Sequence, residues 1–74
     1  MLYEARRHMD GDSITVDFYN FAEAKEWVEG GKSGRVIHFL EVNNMYGRLP
    51  EIEHKSIKLE TWENGVWCEV PIFT

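Results

Sequence analysis

Apolar and polar side chains alternate over Ile14–Tyr19: Ile14, Val16 and Phe18 point one way, Thr15, Asp17 and Tyr19 the other. A period of two is the pattern of a half-buried strand. Leu2–Met9 precedes this run across Asp10-Gly11-Asp12-Ser13, and Asp-Gly signals a tight turn because glycine tolerates positive φ. The two runs therefore read as a hairpin. The period then changes. Phe21, Ala24 and Trp27/Val28 recur at helical spacing between Asn20 and Gly31, while Glu23, Lys25, Glu26 and Glu29 face outward. Asn20 is a good N-cap, Glu23 follows it at the spacing of a capping box, and Gly30-Gly31 ends the helix.

Val36–Val42 is apolar on both faces, as suits a central strand covered by the helix on one side. Asn43–Lys55 is rich in turn residues and reads as a long connection. Either Met45, Leu49 and Ile52 tuck it onto the sheet edge, or Tyr46 and Arg48, beside Gly47, make contacts with a partner. Ser56–Trp62 and Val66–Phe73 are strands joined by Glu63-Asn64-Gly65, and Asn-Gly is the strongest short hairpin signal. The order is β-β-α-β-β-β. An antiparallel five-stranded sheet then places its third strand beside its first, giving the order 2-1-3-4-5. The expectation is a small α+β domain over residues 1–74, with one helix on one face of the sheet.

The Asn64-Gly65 turn also sets the register of the last hairpin. Trp62 opposes Trp67, Thr61 Cys68, Glu60 Glu69, Leu59 Val70, Lys58 Pro71, and Ile57 Ile72. The face carrying Ile57, Leu59, Thr61, Cys68 and Val70 is uniformly apolar and is expected to lie under the helix, with Cys68 in the core. The face carrying Trp62, Trp67, Glu60 and Glu69 is expected to point away. Cross-strand tryptophans stabilise a hairpin by roughly 0.2–1 kcal/mol, whereas opposed glutamates destabilise it. On this reading, Thr in place of both glutamates leaves the fold unchanged or slightly more stable. Aromatic anchors beside carboxylates are what a surface for a basic protein partner needs.

Charge sharpens that expectation. The 74 residues carry 13 acidic and 8 basic side chains, a net charge of −5. Affinity for phosphate chains comes from a basic patch, and beyond Arg6-Arg7 the sequence has no basic cluster, so direct nucleic-acid binding is not expected. The balance points to basic partners, with Glu23, Glu26 and Glu29 on the helix as further contact candidates. One cysteine, no apolar run near the ~20 residues of a membrane span and no secretory pattern suggest a cytoplasmic protein away from the membrane. Pairing with a second copy through an edge strand stays open.

Catalytic chemistry finds little footing. His8, His38, His54 and Cys68 lack metal-ligand spacing, so neither a metal nor another cofactor is expected. Ser13, Ser33 and Ser56 lack a nucleophile signature. Lys32-Ser33-Gly34 follows a helix rather than preceding one, so its amides cannot cradle a phosphate at a helix N-terminus. The reading is of a protein that is not an enzyme.

In size, acidity and order of elements the chain resembles the small phage-encoded inhibitors of bacterial defence, anti-CRISPR proteins among them. The likeness rests on the capped helix Asn20-Phe21-Ala22-Glu23-Ala24-Lys25-Glu26-Trp27 and the strand meander through Glu63-Asn64-Gly65-Val66-Trp67. It implies an inhibitor that occupies the nucleic-acid-binding surface of a basic host protein, a CRISPR–Cas effector subunit, in the bacterial cytoplasm. The alternative is a small accessory module that binds protein or RNA without inhibiting anything.

Overall fold

The computed structural model describes residues 2–46 and 49–71. Its elements are β1 (Leu2–Met9), β2 (Asp12–Phe18), α1 (Phe21–Glu29), β3 (Ser33–Tyr46), β4 (Leu49–Glu63) and β5 (Val66–Pro71). All neighbouring strands run antiparallel in one sheet of order β2-β1-β3-β4-β5, with α1 on one face. This is the expected α+β topology. Asn64 and Gly65 both take positive φ, 53° and 75°, the twist-matched two-residue turn that the Asn-Gly pair favours.

The Asn20 side chain accepts a hydrogen bond from the Glu23 amide at 3.1 Å, satisfying one orphan donor of the first helical turn. Ala24 and Val28 are wholly buried on Ala5 and Val36. Gly34 makes this approach possible. A Cβ there would stand 2.2 Å from the Arg6 carbonyl oxygen and 2.7 Å from Val28 Cγ1, so any side chain would wedge the helix off the sheet.

The register divides the side chains into two faces. Toward the helix lie the rows Phe18–Tyr3–His38–Lys58, Val16–Ala5–Val36–Glu60–Glu69 and Ile14–Arg7–Gly34–Trp62–Trp67. Away from it lie Asp17–Glu4–Ile37–Leu59–Val70 and Thr15–Arg6–Arg35–Thr61–Cys68. The expected register of the last hairpin therefore holds from Lys58–Pro71 to Glu63–Val66, and Ile72, the expected partner of Ile57, lies outside the described residues. Its facing is reversed. Cys68 is exposed and Val70 is 44% exposed, whereas Trp62 and Trp67 pack against the core.

A second correction concerns the expected connection Asn43–Lys55: its described residues, 43–46 and 49–55, extend β3 and β4 as paired strands. Beyond Phe39 in β3 and before Ser56 in β4, the two strands pair only with each other among the described residues. This two-stranded ribbon projects past the sheet, and the molecule measures 48 × 23 × 21 Å. Its radius of gyration of 14.2 Å exceeds the ~11 Å of a compact domain of this length. A bulge at His38/Phe39 marks where the ribbon leaves the sheet; Ile57 on β4 has no cross-strand partner there.

Candidate functional site

Tyr3, Phe21 and His38 cluster at the N-terminal end of α1. The His38 ring lies 5.0 Å from Tyr3, edge-on, and 4.7 Å from Phe21. Its Nε2 is 2.8 Å from Glu60 Oε2, and the two residues are only 6% and 8% exposed. Glu60 and Glu69 oppose each other as expected, but each carboxylate has its own cationic or polar neighbour: His38 for Glu60, and the Lys58 ammonium at 3.2 Å for Glu69. The like-charge pair is thus resolved within the fold.

The Trp62 and Trp67 rings lie tilted at 40° to each other with centroids 5.2 Å apart. Trp62 Nε1 donates to the Gly31 carbonyl at 3.2 Å, fastening β4 to the segment that follows α1. The Lys25 ammonium sits 5.2 Å from the Trp67 ring and 5.4 Å from Phe21, bridging the helix to the tryptophans by cation–π attraction. At the other side of α1, Arg7 donates to the Trp27 carbonyl and stacks 4.4 Å over its ring. These aromatic groups brace the helix on both flanks.

The nine residues singled out in the sequence thus fall in separate places. Glu60 is buried, Trp62 and Trp67 are half-buried beside the helix, and Glu69 is exposed on β5. Glu23, Glu26 and Glu29 are exposed along α1, and no base pairs with them among the described residues. Tyr46 belongs to the end of β3, and Arg48 lies outside the described residues. The structure does not gather these residues into one surface. Outward on the helix itself is the glutamate row Glu23, Glu26 and Glu29, at spacings of three residues along one flank.

Sequence reasoning passed over the opposite face of the sheet. There Glu4 stands beside Asp17 and Arg6 beside Arg35, directly across strands. Next to them lie the apolar side chains Ile37, Leu59 and Val70. No helix covers this face. The Asp10-Gly11 turn already implied the Glu4–Asp17 opposition, which is as unfavourable for folding alone as the Glu60–Glu69 pair.

A cleft of about 440 Å³ opens between the β1–β2 turn and the segment after α1, lined in part by Arg7, His8, Asp10, Lys32 and Ser33. His8 Nδ1, on β1, and Ser33 Oγ, at the start of β3, lie 3.4 Å apart at its rim, with side chains of both charge signs around them. Among the described residues, no three His, Cys, Asp or Glu side chains come together to hold a metal ion. No helix there is long and apolar enough to cross a membrane. No family model, no curated protein and no solved structure matches the chain.

Proposed function

We propose that this protein is a non-enzymatic inhibitor that binds a basic protein surface through the outer flank of α1. The observation that carries this reading is the row Glu23, Glu26 and Glu29, exposed and without ion-pair partners among the described residues. The one base within the helix, Lys25, is drawn toward the Phe21 and Trp67 rings and leaves the row acidic. A rigid line of carboxylates on a protein of net charge −5 meets an arginine- and lysine-lined groove with complementary potential. Such grooves bind nucleic acid, and the partner class we propose is a CRISPR–Cas effector, with the protein acting as a phage anti-CRISPR in the bacterial cytoplasm. Occupying the groove excludes the nucleic acid that it would otherwise hold.

The test is cleavage of target DNA by a panel of purified effectors, with and without the protein. Inhibition by the parent, lost in a Glu23→Gln/Glu26→Gln/Glu29→Gln variant of unchanged circular dichroism, supports the reading. So does an association rate that falls as salt rises while dissociation holds steady. An unaffected panel refutes the effector as partner, and full inhibition by the triple variant refutes the helix as the site. Retention of single-stranded RNA instead favours the accessory module.

A further inference from the structure

We infer that the helix-free face of the sheet is the interface of a symmetric homodimer, two copies packing face to face. The edges of the sheet are not involved. Three observations point to a second copy of this chain as the occupant.

The first is the arrangement of charge. Glu4 and Asp17 form an acidic pair across β1 and β2, and Arg6 and Arg35 form a basic pair one row further along β1 and β3. None of the four forms an ion pair among the described residues, and Arg6 makes only a 3.2 Å hydrogen bond from Nε to Thr15 Oγ1. Arg35 Nε is shielded from solvent and has no hydrogen-bond partner. Within one molecule these pairs are repulsive. A two-fold axis lying in the interface, running diagonally past Ile37 and Leu59, exchanges the acidic pair for the basic one. Each copy's arginines then meet the other's carboxylates, and Ile37 and Leu59 pack on their own symmetry mates. A self-complementary patch is what an isologous interface requires. The strands of the two sheets cross steeply, in the orthogonal class of sheet packing.

The second observation is the apolar ground beside the charges, where Ile37, Leu59 and Val70 continue the acidic row across the sheet. The third is area. The chain exposes 5452 Å², against about 4,700 Å² for a compact monomer of this mass. The excess of roughly 700 Å² is close to the ~800 Å² that each partner contributes to a standard interface. Exposed apolar side chains on the bare face, Val70 at 44% among them, belong to this area, as do those of the ribbon. This interface leaves α1 of both copies pointing outward, so it stands or falls independently of the helix as an inhibitory surface.

Sedimentation equilibrium of the full chain across micromolar concentrations tests the inference. The expected species is the dimer of an 8.7 kDa chain. Glu4→Arg/Asp17→Arg should weaken association at least ~10-fold, because each reversal counts twice across a two-fold axis. Adding Arg6→Glu/Arg35→Glu inverts the pattern and should restore the dimer, a rescue that a merely structural role cannot give. Leu59→Glu should yield a folded monomer, and should it fail to fold, the charge series still decides. A monomer at every concentration overturns the inference, as does a dimer indifferent to the acidic-pair reversals or a quadruple variant that stays apart. Binding of a single-stranded RNA oligonucleotide to a monomer through Arg6 and Arg35 also overturns it.

Discussion

Thr in place of Glu60 strips the His38 imidazole of the carboxylate 2.8 Å away, at a site where the two residues are 6% and 8% exposed. Water cannot readily replace the lost partner. A buried polar group left unpaired costs about 1–3 kcal/mol, and a broken buried ion pair about 3–5 kcal/mol. A single core of this size supplies only about 3–5 kcal/mol in total. Glu60→Thr should therefore remove about 2 kcal/mol, roughly half of the stability, opposite in sign to the expectation from cross-strand repulsion alone. Glu60→Gln retains a hydrogen-bonding group toward His38 and should retain most of the stability. The apolar pair His38→Phe/Glu60→Leu should be neutral or stabilising, because both polar groups leave together. Urea unfolding at fixed pH, followed by far-UV circular dichroism and tryptophan fluorescence, reads the effect as a shift of midpoint at constant slope. A Glu60→Thr midpoint equal to that of the parent would refute the reasoning, since Glu60 would then be a solvated surface group.

Gly34→Ala should abolish cooperative thermal melting, because the new methyl meets the Arg6 carbonyl at 2.2 Å, backbone that cannot give way. Trp62→Phe keeps a ring against Trp67 but loses the 3.2 Å bond to the Gly31 carbonyl, and should cost about 1 kcal/mol in a denaturant titration. Cys68 is exposed on the single chain, so at concentrations low enough to keep the chain monomeric a thiol reagent should label it nearly as fast in the native protein as in denaturant, and slow labelling there would return it to the core.

The sheet order was legible because two Gly-containing turns pinned two hairpins, and the helical spacing of Phe21, Ala24 and Trp27/Val28 named the face that α1 buries. Register was legible for the same reason, down to Trp62 opposite Trp67. Facing was not. Ile57, Leu59 and Val70 are more apolar than Lys58, Glu60 and Glu69, and apolarity alone assigns them to the core. The helix instead lies over the two neighbouring rows that contain Ala5 with Val36 and Gly34, residues small enough to admit it, and the register then carries Glu60 and the tryptophans to that side. His38 was the available signal, a polar residue alternating with Ile37 and Phe39 that needs a buried partner once it faces the helix. The ribbon was missed because Asn43, Asn44, Gly47 and Pro50 favour turns one at a time, whereas pairing between two long strands is decided across the chain rather than along it.

The position of β1 between β2 and β3 has a consequence for synthesis. By the time Glu29 has been added, the first hairpin and all of α1 are present, yet the helix rests on Val36, which has not been made. A nine-residue helix falls short of the ~12–15 residues at which isolated helices become even marginal in water. Until Ser33–Phe39 emerges, the helix has only β1 and β2 to rest on, through Tyr3, Ala5, Arg7 and Phe18, and lacks Val36; Trp62 and Trp67 arrive later still. A chain that ends before Val36 lacks one of the four wholly buried core residues and the central strand of the sheet, so the first 35 residues should be open to proteases where the finished domain is not.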